Sequence, residues 1–274
     1  MDIFKESLKS GIGGFKAKTI QIISLNWLKT IMNYQNNNGT SFKKTIKILY
    51  KEGGIKRFFL GITPSLIQGP IIRFGDTFCN EIILDLMEKS NKSIFIKTFI
   101  SSSTACLFRI LMNPLHNFKI IYQIEGKNAK KIIKKKIKKN GFISLYQGSF
   151  GNGFLNLISS YPWFAVHNFL NNYIPQFNNN QFNLLREAYI GFTSSFVSDC
   201  LTNSLRVVKT KKHIDKDNKS YYEIYNEIIN KDGIKQLMFR GLETRILING
   251  IQGLLFNVLW KYFKLNKKNE NINL

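Results

Sequence analysis

The apolar positions of this chain gather into three mixed stretches of about 25 residues, 62–87, 149–173 and 242–264, each broken by polar side chains. Short, basic, amphipathic segments precede them at 42–51, 128–139 and 221–231. The pattern predicts a unit made of a long helix, a short surface helix and a second long helix, occurring three times. Six long helices result, each about long enough to cross a bilayer. No run of 18 uninterrupted apolar residues exists, so hydropathy alone does not announce a membrane span. Two classes fit this pattern. One is a basic soluble helical protein, the other a membrane protein whose helices face a polar interior.

An internal repeat decides between them. Ser24-Leu25-Asn26-Trp27-Leu28-Lys29 returns as Pro114-Leu115-His116-Asn117-Phe118-Lys119 and as Ser204-Leu205-Arg206-Val207-Val208-Lys209, with an offset of 90 both times. Upstream, in the same register, stand small residues: Gly11, Ser101 and Gly191, then Gly14, Thr104 and Ser194. Small residues three apart share a helix face and let backbones approach. A second element follows each first one, running from Gly54 to Gly61, from Gly141 to Gly148 and from Gly233 to Gly241. An aromatic residue precedes each closing glycine by two positions: Phe59, Tyr146 and Phe239.

These paired elements resemble the mitochondrial carrier family. That family carries Pro-x-[Asp/Glu]-x-x-[Lys/Arg] on each odd helix, then an acid-Gly element and an aromatic-base-Gly element. The resemblance covers nearly the whole chain. It implies an all-α membrane protein of six transmembrane helices in three pseudo-threefold repeats with short matrix helices, dividing as 1–90, 91–180 and 181–274. It also implies the mitochondrial inner membrane as location and a polar cavity lined by the odd helices, which accounts for the modest hydropathy. Six glycines take on a lipid-binding role by the same resemblance: Gly54, Gly61, Gly141, Gly148, Gly233 and Gly241. Each would place a helix N-terminus against a cardiolipin phosphate, where a side chain would stand in the way. Cardiolipin is thus expected as a structural lipid, with no other cofactor.

The chain departs from the family at its gates. The acid positions of the matrix gate hold Asn26, His116 and Arg206, whereas the base positions Lys29, Lys119 and Lys209 are intact. Four cations are expected to converge there without partners and to repel. Two motif prolines are replaced by Ser24 and Ser204. On the cytoplasmic side the matching segments are 80–84, 167–171 and 260–264, of which only Glu81 supplies an acid and Lys264 a base. The family's substrate contacts fall on Gln68, Leu155 with Asn156, and Ile248 with Asn249; none is a cation of the kind that holds a nucleotide or carboxylate. Arg73 and Arg245 lie out of register on the same helices. Fold-keeping residues persist while gating charges do not. The expected function is therefore a non-transporting accessory or structural subunit of a larger inner-membrane complex, such as a respiratory-chain complex. The alternative is an active, divergent carrier that exchanges a small metabolite through uncharged gates.

Charge and composition add limits. The 274 residues hold 40 bases and 17 acids, a net charge of +23, with 44% hydrophobic and 14% aromatic residues. Residues 36–60 carry six bases and one acid, and 126–148 carry eight bases and no acid. That bias suits matrix-facing segments. The Lys130–Lys139 run reads as a solvated face near anionic lipid; it lacks the interleaved aromatics of a nucleic-acid surface, so no nucleic-acid partner is expected. Cys79, Cys106 and Cys200 lie too far apart for a disulfide scaffold or zinc ribbon, and His116, His167 and His213 share no metal-ligand spacing. Gly11-Ile12-Gly13-Gly14-Phe15-Lys16 lacks the ending of a phosphate loop, and no enzymatic site is expected. The opening Met1-Asp2-Ile3-Phe4-Lys5-Glu6 carries acids that secretory and transit segments avoid, so neither is expected.

Overall fold

The structure is a computed structural model, and it describes residues 2–72, 107–146, 148–177, 179–215 and 219–252, with isolated positions among the others. Helix α1 is Asp2–Asn38 and α2 is Phe42–Phe58; α3 spans 62–72. Helix α4 is Asn113–Glu125, α5 is Ala129–Asn140 and α6 is Ser149–Tyr173. Helix α7 is Asn180–Ile214, α8 is Tyr221–Phe239 and α9 spans 242–252. No strand occurs among the described residues.

Local chemistry sets the boundaries. Helix α1 ends in an asparagine run and Gly39, whose φ of 67° is the left-handed cap that glycine adopts without strain. Pro114 sits in the first turn of α4, where its missing N–H costs nothing. Asn179 caps α7 by accepting from Gln181 N at 2.8 Å, and Ser220 with Glu223 closes a capping box on α8. The surface helices break or end at left-handed glycines: α2 at Gly54 (φ 60°), α5 at Gly141 (φ 67°) and α8 at Gly233 (φ 80°).

Helices α1, α4 and α7 touch one another through their C-terminal halves, and α2, α5 and α8 pack each on its own long helix. Apolar clusters seal these seams. Leu25 and Leu28 meet Ile248; Val207 and Val208 meet Ile224, Ile228 and Leu237; Ile120 and Ile124 meet Ile214. Each fully buried leucine or isoleucine contributes on the order of 2 kcal/mol. The three identical motif leucines have unlike surroundings: Leu25 is buried, whereas Leu115 and Leu205 line two outer grooves.

Polar ties run around the same end of the bundle. Arg57, buried at the end of α2, donates to Gln123 O at 2.8 Å and Ile124 O at 2.7 Å, the last carbonyls of α4. Lys136 of α5 donates to His213 O of α7 at 2.8 Å. Arg240, after α8, donates to Asn36 O of α1 at 3.4 Å. Each cation thus meets the negative end of the next long helix in sequence, and the third returns to the first. Glu52 holds Arg57 at 2.7 Å and Asp232 holds Arg240 at 2.5 Å. Lys136 corrects the reading of its run as wholly solvated: it is 3% exposed.

Among the described residues no helix is long and apolar enough to cross a membrane. The cause is visible on α7, where Ser194, Ser198, Asp199, Thr202, Asn203 and Thr210 are all buried. The polar face turns inward, as the sequence pattern implies.

Candidate functional site

The three motif lysines come from three long helices to one place. Lys29 of α1, Lys119 of α4 and Lys209 of α7 line a single cavity of about 210 Å³, together with His116, Arg206 and Arg245. The register of the repeat explains this: positions offset by 90 fall at the same height on helices that share a seam.

The expectation that these cations lack partners is corrected by Asp199. Its carboxylate lies 3.3 Å from Arg206 Nη2 and 2.6 Å from Arg245 Nε, and Asn249 donates to its other oxygen. Asp199 precedes Arg206 by seven residues, two helical turns, so both stand on one face of α7. That spacing was the available signal; the family pattern directs attention to the motif position alone. Arg245 is likewise no snorkelling side chain but part of this cluster.

Asn26 does not line the cavity. Its amide donates to Phe58 O at 3.2 Å, beside the Thr30 hydroxyl at 2.8 Å from the same oxygen. Equivalent ties recur elsewhere: Asn117 and Asn113 donate to Leu145 O, and Asn203 donates to Met238 O at 2.7 Å. Each receiving carbonyl lies three residues before a closing glycine. The asparagines thus fasten a long helix to its surface segment. Uncharged contacts cross between α1 and α4 here: Asn33 of α1 donates to Gln123 of α4 at 2.6 Å, and Gln123 donates to Asn26 Oδ1 at 3.3 Å.

The substrate-contact positions separate. Ile248 and Asn249 line the cation cavity, and Gln68 reaches its wall by donating to His116 Nδ1 at 3.2 Å. Leu155 lines instead an apolar groove of about 750 Å³ beside Tyr221, Tyr222 and Tyr225, and Asn156 does not line the cavity. Arg73, Glu81 and Lys264 lie outside the described residues, as do Cys79, Cys106 and Ser101.

The six glycines form two kinds. Gly61, Gly148 and Gly241 each precede a helix, with φ of 80°, 85° and 69°. A Cβ on Gly61 would come 2.9 Å from Lys119 O, and one on Gly148 would come 2.7 Å from the His213 ring; one on Gly241 would strike Asn36 Oδ1. These glycines are needed for contact with the next long helix, a reason the phosphate argument omits. Gly54, Gly141 and Gly233 face open space. Beside Gly61 a groove of about 920 Å³ is walled by Leu115, Phe118, Lys130, Lys134 and Lys138.

Two groups on the short helices have displaced ionisation. Burial pushes the Lys136 ammonium down to about 8, against the opposing pull of Asp215. Hydrogen bonds from Lys211 and Lys219, both 2.8 Å, draw the Glu227 carboxyl down to about 2. No group of three or more His, Cys, Asp or Glu that could hold a metal occurs among the described residues.

Comparison with known proteins places this architecture. The family profile described as "Mitochondrial carrier protein" matches residues 2–91 and 180–270. The chain is 22% identical over 267 residues to mitochondrial substrate carrier family protein W of Dictyostelium discoideum, covering 88% of this chain and 80% of that protein. It is 26% identical over 156 residues to mitochondrial carrier-like protein L276 of Acanthamoeba polyphaga mimivirus, covering 56% of this chain and 61% of the relative.

Proposed function

The chain belongs to the mitochondrial carrier family, whose members are transporters and not enzymes, and on that footing we propose that this member no longer exchanges metabolites but serves as a structural subunit of a larger inner-membrane assembly, such as a respiratory-chain complex. In this reading six helices cross the membrane, their polar faces turned to the axis, with α2, α5 and α8 on the matrix side. Cardiolipin fills the grooves beside the closing glycines.

One observation carries the reading. Asp199, an acid at the central cluster, is engaged within its own repeat, by Arg206 and Asn249 and Arg245. Alternating access needs two closed states of similar free energy, each held by contacts between moving parts that can break. An acid held by its own repeat does not latch one repeat to another. The Arg57, Lys136 and Arg240 ties do join neighbours, and they favour one matrix-closed arrangement.

A second reading, a divergent exchanger, has its own support in the Asn33–Gln123 contact, an uncharged and breakable bridge between α1 and α4. The deciding experiment is reconstitution into cardiolipin-containing liposomes loaded with nucleotides, carboxylates, amino acids or phosphate. The structural reading expects no counter-exchange above empty liposomes, together with comigration with a larger complex in mild detergent. Exchange that is abolished by Lys119→Ala overturns it in favour of the exchanger.

A further inference from the structure

The twelve residues of α5 divide among three faces. Ala129, Ile132 and Lys136 are buried against the bundle. Lys130, Lys134 and Lys138 stand with Ile133 and Ile137 on one flank, where they line the apolar groove beside Gly61. Lys131, Lys135 and Lys139 follow one another at intervals of four and share the remaining flank, about 100° further round the helix. All three are exposed, and none lines that groove.

Like charges four apart repel along a helix, so this flank weakens α5 instead of supporting it. Helix α8, the counterpart in the third repeat, intersperses Glu223, Glu227 and Asp232 with Lys231 and Lys235. The unbroken lysine flank therefore belongs to one repeat and is no requirement of the fold. A carboxylate already meets its end: Asp217, on the connection between α7 and α8, lies 3.4 Å from Lys139 Nζ, with both side chains exposed. Lys131 and Lys135 have no such partner among the described residues.

We propose that Lys131, Lys135 and Lys139 form a docking stripe for an acidic helical segment of a partner protein, an inference that rests on the structural-subunit reading and its membrane placement. With six helices across the membrane, the apolar groove and its lysines are the flank turned to the bilayer, and the Lys131 flank is turned to the matrix. Carboxylates four apart on a partner helix repeat the spacing of the lysines, about 6 Å between neighbours, so each meets one ammonium. The exposed Lys139–Asp217 pair yields to such a partner at little cost.

The probe is a short, fluorescein-labelled, alanine-rich peptide with three glutamates spaced four apart; its glutamine counterpart is the control. The purified full-length protein, in phosphatidylcholine nanodiscs at physiological salt, is titrated with each and read by fluorescence anisotropy. The glutamate peptide should bind saturably and the glutamine peptide should not. Lys131→Glu combined with Lys135→Glu should weaken binding by roughly tenfold. Lys43→Glu combined with Lys44→Glu, two exposed lysines of α2, makes the same change in net charge and should shift it by less than about twofold. The α5 pair should melt no lower than the parent, since it relieves repulsion within the helix, and this separates loss of binding from loss of fold. Equal losses in the two pairs reduce the binding to net charge and overturn the proposal. So does suppression of water-soluble amine labelling at Lys131 and Lys135 when the discs carry cardiolipin, which assigns the stripe to the bilayer. The exchange assay is separate: counter-exchange in liposomes removes the structural-subunit reading and leaves the titration standing, and a flat titration removes the stripe and leaves the exchange result standing.

Discussion

Two sets of cations occupy the same end of this molecule under opposite conditions. In the ring, Arg57, Lys136 and Arg240 each meet backbone carbonyls at the end of a neighbouring long helix. At the centre, Lys29, Lys119, Lys209, Arg206 and Arg245 surround a cavity at which Asp199 pairs with the two arginines. A helix C-terminus presents its carbonyls whatever the sequence, so the ring's acceptors cannot be removed by substitution. The centre depends on side-chain acids at three motif positions, and those positions now hold Asn26, His116 and Arg206. Backbone acceptors therefore tie this end together independently of the residues at the motif acid positions.

The sharpest way to break that comparison is to remove a ring cation. Arg57→Ala should destabilise by about 3 kcal/mol, since it leaves two carbonyls and Glu52 without their charged donor, and should lower the melting temperature of the purified protein by roughly 6–12 °C. Arg57→Lys should lose about half as much, because one ammonium cannot reproduce the fork. If both variants melt with the parent, the ring is decoration and the closed end is held elsewhere.

The glycines give the next test. Gly148→Ala combines a left-handed backbone with a clash against the His213 ring and should cost about 2–3 kcal/mol. Gly141→Ala meets open space and bears only the backbone strain, about 1 kcal/mol. Melting curves of the two variants, with and without cardiolipin, separate packing from lipid. Equal losses without lipid would erase the distinction between the two kinds of glycine.

A smaller effect is expected from Asn203→Ala, which leaves Met238 O without its side-chain donor: about 1–2 kcal/mol by the same melt.

Smallest of all is the pH response of Glu227. Its folded value lies near 2, below the ordinary 4.5. Its contribution is therefore complete above about 4.5 and is lost as pH falls toward 2. As a partly exposed pair it amounts to less than about 1 kcal/mol. The melting gap between the parent and Glu227→Gln should narrow from pH 6 to pH 3.5. Lys136 gives a slope of the same sign in another window: its folded value near 8 lies below the ordinary 10.5, so its burial penalty is relieved, and stability rises, as pH rises from 8 to 10.5. A gap that widens on acidification would contradict the Glu227 assignment.

What the sequence revealed followed the register of its repeat. The convergence of Lys29, Lys119 and Lys209 was legible because equal offsets on packed helices give equal heights. The helix starts after Gly61, Gly148 and Gly241 were legible from the recurring aromatic two residues before each glycine, not from an equal offset. The ring and the asparagine ties were not. Arg57, Lys136 and Arg240 do not occupy matching positions, and of the asparagines only Asn113 and Asn203 share the 90-residue offset, while Asn26 and Asn117 fall elsewhere, so comparison by offset passes over most of them. A long side chain can reach one carbonyl from several places along a turn, and function of this kind leaves no fixed column. Lys136 was further concealed among seven neighbouring lysines between 127 and 139. Asp199 went unseen because it stands two turns from the position at which the family's acid is sought.

The ring also sets an order of assembly. Its first two ties span 66–67 and 77 residues, whereas the last joins Arg240 to Asn36 across 204. Closing the longer loop costs only roughly 1 kcal/mol more than closing the shorter ones, so entropy hardly opposes it. Timing does. A chain emerging from synthesis can make the first tie once Ile124 exists and the second once His213 exists, but the Asn36 carbonyl of α1 must wait for its charged donor until residue 240 exists. Contacts of such sequence separation form late and slowly. The first helix to be made is the last to be fastened, and a chain cut short before Arg240 would leave an open chain of repeats with two unjoined ends.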